Sequence, residues 1–219
     1  ACCFLPRFCL LDEQMLNHKS KLKNRRAMQR ISLKENKMKN IYIGKKVRLI
    51  ARNPKEDAAR MAVWQRDTEF ARLQDSDPIR LWNASQNTEW IEKQQKGDAF
   101  EGIEFAILTL DDQKVIGSCG LDGISWHDRT SWVGIGIGER DYWGKGCGTD
   151  AMHILTRYAF EELGLYRLNL NVFSYNMRAI RSYEKIGYKV EGTVREALHR
   201  DGKRYDLIFM GLLREDFRF

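Results

Sequence analysis

The segment Trp143-Gly144-Lys145-Gly146-Cys147-Gly148-Thr149 constrains this chain more than any other. It follows an alternating apolar run, Trp132–Gly138. It precedes a run in which Met152, Leu155, Ala159 and Leu163 recur at helical spacing. Glycines at 144, 146 and 148 let a backbone turn sharply from strand to helix and let a ligand approach closely. The first amides of a helix have no partner inside it, and the positive end of the helix dipole lies there, so such a turn suits a phosphate or pyrophosphate. Thr149 is a candidate cap for that helix and Lys145 a candidate charge. Two familiar phosphate loops do not fit. A Walker loop needs Gly, four residues, then Gly-Lys-[Ser/Thr]; a dinucleotide fingerprint needs G-x-G-x-x-G, where this segment reads G-x-G-x-G. Taken alone, the segment also fits a strand-to-helix turn that binds nothing.

The surrounding pattern predicts an α/β (α+β) chain without internal repeats. Tyr42–Leu49 reads as a strand. Asn53-Pro54-Lys55-Glu56 reads as a helix start, with Asn as cap and Pro at the first helical position, and the helix runs to about Arg66. A second helix is expected over Thr88–Lys96, stopping at Gly97. Phe105–Leu110 and Lys114–Leu121 are strands joined at Asp111-Asp112-Gln113, and Trp132–Gly138 is a third after His127-Asp128-Arg129. Then follow a helix over Thr149–Leu163 ending at Gly164, a strand over Arg167–Phe173, and a helix over Asn176–Lys185 ending at Gly187. A hairpin, Lys189–Arg200 and Lys203–Leu212, closes around Asp201-Gly202.

Charge divides the chain. Residues 1–40 hold 10 Lys and Arg against 3 Asp and Glu; residues 41–219 hold 27 of each. The net +7 therefore belongs to a tail, read as a disordered basic segment or an appended extension, and the body over 41–219 is formally neutral. That removes the charge argument for a nucleic-acid-binding body and leaves the tail as a candidate for weak contact with RNA or the ribosome. No run of 18 apolar residues exists, so a membrane partner is not expected. Cys2, Cys3, Cys9, Cys119 and Cys147 form no zinc spacing; reduced thiols, a cytoplasmic location and no metal are expected.

Two segments carry a family resemblance. Glu139-Arg140-Asp141-Tyr142-Trp143-Gly144-Lys145-Gly146-Cys147-Gly148 resembles the acetyl-CoA pyrophosphate loop of the GNAT N-acetyltransferase superfamily, [QR]-x-x-G-x-[GA]. Gly146 and Gly148 fit; Trp143 stands where Gln or Arg is usual. Asn176-Met177-Arg178-Ala179-Ile180-Arg181-Ser182-Tyr183-Glu184-Lys185-Ile186-Gly187-Tyr188 resembles the family's late helix, N-x-x-A-x-x-x-Y-x-K-x-G-[FY]. The form Tyr-Trp-Gly-Lys-Gly is similar to the branch of ribosomal-protein N-terminal acetyltransferases and spermidine acetyltransferases. The resemblance implies a mixed, largely antiparallel sheet of about seven strands, splayed between the fourth and fifth, with about four flanking helices.

It also implies a chemistry: direct acetyl transfer from acetyl-CoA to a primary amine, either a peptide N-terminus or a small amine. The donor would lie in the splay, its arm on the backbone of Ile135, Gly136 and Ile137. Its pyrophosphate would sit on the segment Trp143, Gly144, Lys145, Gly146, Cys147, Gly148 and Thr149. Asn176 would touch the arm, and Tyr183 would protonate the departing thiolate. From the residues alone, Tyr183 also fits a core aromatic, Asn176 a helix cap, and Cys147 a low-pKa thiol at a helix start. The carboxylate that often precedes the loop strand in related enzymes is absent, because Trp132 holds that position. Glu104 is the first substitute as general base, ahead of His127, His153 and His199. Trp64, Trp82, Trp90 and Trp126 are candidates for an acceptor cleft. A homodimer is frequent in the branch. The competing expectation is a non-catalytic CoA-binding module docked on ribosome or RNA through the basic tail.

Overall fold

The computed structural model describes residues 40–96 and 102–218. The basic tail expected over 1–40, save Asn40, and the helix stop expected at Gly97 lie outside the described residues. The strands are β1 (Val47–Ala51), β2 (Gly102–Thr109), β3 (Val115–Ser125), β4 (Thr130–Ile137), β5 (Arg167–Phe173), β6 (Lys189–Arg200) and β7 (Lys203–Leu213). They form one sheet in the order β1-β2-β3-β4-β5-β7-β6. Every neighbouring pair is antiparallel except β4 and β5. That parallel pair needs a crossover, which the chain makes through α4 (Cys147–Glu161).

β4 and β5 pair only at Thr130–Trp132 against Arg167–Asn169. Beyond Trp132 the two strands part, leaving Val133–Ile137 without a strand neighbour on that edge, while β5 stays paired to β7 along its full length. The expected splay between the fourth and fifth strands is thus present.

Strand alternation sorts the core into two faces. Val47 and Leu49 of β1, with Ile107 of β2, pack into the larger core under α4 and α5 (Met177–Ile186). Ala106 and Leu108 point the other way, into a smaller core with Trp64 and Phe70. Those two aromatics come from α1 (Pro54–Trp64) and α2 (Thr68–Gln74). A further helix, α3 (Ala84–Lys96), completes five α-helices among the described residues, one more than about four. None is long and apolar enough to cross a membrane.

Three elements differ from expectation for local reasons. The missed helix is α2: Asp67 caps it, accepting from the amides of Glu69 and Phe70. α3 begins at Ala84 rather than Thr88, because Asn83 and Gln86 form a reciprocal capping box at 2.9 and 3.0 Å. The first strand begins at Val47 rather than Tyr42. The chain instead turns at Gly44, whose N–H bonds the Val47 carbonyl at 2.9 Å. Arg167–Phe173 and Lys189–Arg200 match their expected bounds.

Candidate functional site

α4 starts at Cys147, two residues earlier than expected. Gly146 is its N-cap, at φ +85°, a left-handed conformation that favours glycine, and no side chain caps the helix. The amides of Cys147, Gly148 and Thr149 therefore have no intrahelical acceptor. Thr149 is not the cap: its hydroxyl is hydrogen-bonded to that of Ser182 at 2.7 Å, tying α4 to α5. Cys147 is buried, and burial pushes its thiol pKa upward, opposite to the shift a nucleophilic thiolate needs. Gly144 and Gly146 have no backbone or core atom where a side chain would stand, so a ligand can lie against that backbone.

The open edge of β4 meets this loop. The carbonyls of Ile135 and Ile137 lie on that edge, and each accepts from a side chain, Gln74 Nε2 of α2 at 3.4 Å and Trp143 Nε1 of the glycine turn at 2.6 Å. The Ser131 carbonyl, still within the paired stretch, accepts from Asn169 Nδ2 of β5 at 3.3 Å. The Gly136 carbonyl instead faces β3, where a Cβ on Gly117 would overlap it. Of the three expected arm-binding residues, Ile135 and Ile137 thus present backbone groups to the gap, and Gly136 presents an absent side chain. Trp143, in the place of Gln or Arg, lies under two cations, Arg178 at 3.9 Å and Arg140 at 4.8 Å from its ring centre.

On the face covered by α1, α2 and α3 a cavity of about 790 Å³ opens. Its floor is a row across three strands: Glu104 of β2 is registered with Gly120 of β3, and Gly120 with Gly134 of β4. A Cβ at Gly120 would come within 2.6 Å of the Ile103 carbonyl oxygen, and one at Gly134 would meet nothing within 4 Å. The glycines clear the space in front of Glu104. The glutamate's Oε2 lies 2.5 Å from Arg52 Nη1. Arg52 also reaches Asp57 at 3.5 Å and lies under Trp90. Trp64, Trp82 and Trp90 line this cavity; Trp126 does not. None of His127, His153 and His199 lines it either. Sequence reasoning missed the floor glycines and Arg52. Gly134, Gly136 and Gly138 at alternate positions inside a strand were the available signal, since such spacing strips one face of its side chains.

Tyr183 lies on the opposite face, 9% exposed in the larger core, with its ring 6.0 Å from that of Tyr188. Burial pushes its phenol up to about 12. Asn176 caps α5 through Oδ1, accepting from the Ala179 amide at 3.2 Å, which leaves its amide hydrogens for another acceptor. The splay lies between the Tyr183 face and the cavity face. Among the described residues no group of three or more His, Cys, Asp or Glu is placed to hold a metal ion.

Comparison with known proteins agrees with this arrangement. The family profile described as the acetyltransferase (GNAT) domain matches residues 48–189. A SPbeta prophage-derived uncharacterized N-acetyltransferase, YokL, of Bacillus subtilis is 29% identical over 146 residues, 66% of this chain and 80% of that protein. The putative ribosomal N-acetyltransferase YdaF of the same organism is 32% identical over 116 residues, 53% of this chain and 62% of that protein. A crystal structure of spermidine N-acetyltransferase from Vibrio cholerae, in complex with CoA and spermine, superposes with a TM-score of 0.69. It has 20% identity and covers 78% of this chain and 96% of that one, a likeness of fold. The profile spans the open β4 edge, the glycine turn and the Asn176–Tyr183 helix alike, and on that match the chain belongs to the GNAT acetyltransferase family, as an N-acetyltransferase.

Proposed function

We propose that this enzyme transfers the acetyl group of acetyl-CoA directly to a primary amine, a peptide N-terminal α-amine or a small amine. The observation that carries the reading is the position of β4. Its unpaired edge and the uncapped α4 N-terminus border the splay, while its glycine-stripped face opens into the cavity that holds Glu104. A donor can thus lie along the edge while an acceptor approaches from the face.

The donor supplies a thioester carbonyl as electrophile. The backbone N–H groups of Ile135 and Ile137 suit the carbonyls of an extended arm, as an added strand would, while their own carbonyls are held by Gln74 and Trp143. The amides of Lys145–Thr149 suit a pyrophosphate. In the cavity, Glu104 keeps Oε2 on Arg52 and offers Oε1 to the acceptor's proton. An α-amine with pKa near 8 is already about one-tenth unprotonated at pH 7, so it asks less of this base than a lysine-like amine does. Tyr183 keeps its proton at working pH and can give it to the departing thiolate. The buried, pKa-raised thiol of Cys147 favours direct transfer over an acyl-enzyme.

The test is mass analysis of a panel of polyamines, amino acids and peptides with Ser, Ala or Met at the N-terminus, incubated with enzyme and acetyl-CoA. The reading expects one acetyl group gained by the acceptor for each CoA thiol released. Donor binding without acetylation of any amine contradicts it.

A further inference from the structure

One wall of the cavity has no regular structure. The segment 75–83 joins α2 to α3, and Asp75, Asp77, Ile79, Arg80 and Trp82 line the cavity from it. Core packing does not hold its middle, where Leu81 is 74% exposed. Among the described residues, 78–82 make no hydrogen bond. Such a stretch is shaped by its two ends, because each residue released regains about 1–2 kcal/mol of backbone entropy. The far end is the capping box of Asn83 and Gln86 at the start of α3.

The near end is held from the β6–β7 hairpin. Arg200, the last residue of β6, donates from Nη2 to the carbonyls of Asp75, Ser76 and Asp77 at 2.8, 2.7 and 3.1 Å. Nη2 carries two hydrogens, so one of them is shared between carbonyls. Asp75 is the C-cap of α2, where a cation also meets the negative end of the helix dipole. The Nε of Arg200 is buried and makes no hydrogen bond among the described residues, so that edge of the guanidinium has given up water for the carbonyl contacts alone. Asp201, next along, pairs with Arg72 of α2 at 2.7 Å, and the Tyr175 hydroxyl donates to the Arg72 carbonyl at 2.6 Å. Tyr175 follows β5, whereas Gln74 of α2 bonds the Ile135 carbonyl of β4. The end of α2 thus bridges the two strands that part at the splay, and Arg200 fixes the segment that leaves it.

We propose that Arg200 is a positioning residue for the acceptor. It does not line the cavity itself. By holding three successive carbonyls it sets the direction in which the segment leaves α2, and so keeps Trp82 and its neighbours as a preformed wall. The proposal rests on the cavity being the acceptor site. Without the clamp the wall samples other shapes, and the apparent affinity for the acceptor falls with the fraction of time the wall is in place.

The test pairs kinetics with proteolysis of the full chain. The acceptors are spermidine and peptides beginning with Ser, Ala or Met. Arg200→Met should raise the acceptor KM about tenfold, with kcat and the acetyl-CoA KM within about twofold of the parent. Loss of folded protein would instead lower kcat for every acceptor. Trypsin should cut after the exposed Arg80 at least about tenfold faster in Arg200→Met, because cleavage tracks the open population. Asp201→Asn keeps the carbonyl contacts and removes only the exposed pair with Arg72, so both readouts should stay within about twofold. A parental acceptor KM in Arg200→Met overturns the proposal, as does an effect of Asp201→Asn as large as that of Arg200→Met. Gly134→Leu probes the cavity itself. If it leaves the acceptor KM unaltered, the acceptor reading fails; a rise there without one in Arg200→Met sinks the clamp alone. A parent that acetylates none of these amines contradicts acetyl transfer, and trypsin cleavage unchanged by Arg200→Met then overturns the clamp separately.

Discussion

Arg52 and Glu104 form an ion pair of unequal exposure: Nη1 and Oε2 are 2.5 Å apart, with the arginine side chain 3% exposed and the glutamate 34%. The arginine is a fixed wall component, held also by Asp57 and Met61, and the glutamate is the partner that faces the cavity. Glu104→Gln should therefore leave stability within about 1 kcal/mol, because the partly exposed pair contributes little. The same change should lower kcat/KM for the amine about 100-fold near pH 7. The deficit should narrow as pH rises and the amine loses its proton unaided, which a pH profile reads directly. Arg52→Met differs in kind: it removes a buried cation from the Asp57 carboxylate, which keeps Arg60 and the Asn53 amide, and should cost about 1–3 kcal/mol in denaturant unfolding.

The cavity floor separates folding from acceptor binding. A side chain at Gly134 meets no atom within 4 Å, whereas one at Gly120 comes within 2.6 Å of a backbone oxygen. Gly134→Leu should fold with an unchanged Tm, fill the cavity, and raise the acceptor KM at least about tenfold. Gly120→Ala should destabilise by about 1–3 kcal/mol through overpacking. Thermal unfolding alongside acceptor kinetics distinguishes the two.

Tyr183 carries a prediction on each side of its proton. Tyr183→Phe should lower kcat about 100-fold while leaving CoA affinity unchanged. Burial raises the folded-state pKa to about 12, against about 10 for a free phenol. The neutral phenol therefore adds stability that is fully present below about pH 10 and is lost as pH climbs toward 12. Tm should fall across that window, and less steeply in Tyr183→Phe. An alkaline unfolding slope identical in both proteins would contradict the assignment of burial as the cause.

Gly146 adopts φ +85° directly beneath the Lys46 stem. Gly146→Val should strain the turn by about 1–2 kcal/mol and obstruct the free amides. The apparent KM for acetyl-CoA should rise at least about tenfold, with the acceptor KM little changed. Unaltered donor kinetics would remove the loop from the site.

Most of the sheet was legible in the sequence because its signals are local. Arg167–Phe173 alternates cleanly, Asp201-Gly202 marks its own hairpin, and Gly187 ends α5 in a left-handed conformation. What was missed depends on partners distant in sequence. The turn at Gly44 is set by Asp150, over 100 residues away, so nothing near Tyr42 discloses it. The Glu104, Gly120 and Gly134 row exists only once three strands are in register. Thr149 reads as a cap by its position, but Ser182 on a neighbouring helix claims its hydroxyl. α2 was the exception: Asp67 is a local signal, and the seven residues it caps are too few to show a helical period.

The central claim is that the donor lies along the open edge of β4 and ends on the first amides of α4. Hydrogen–deuterium exchange with and without acetyl-CoA tests it most directly. The account predicts slowed exchange at Ile135, Ile137 and Cys147–Thr149, with little change at Gly136, whose backbone already faces β3. Acetyl-CoA that binds while those amides exchange as before, and that protects another part of the surface instead, would contradict it.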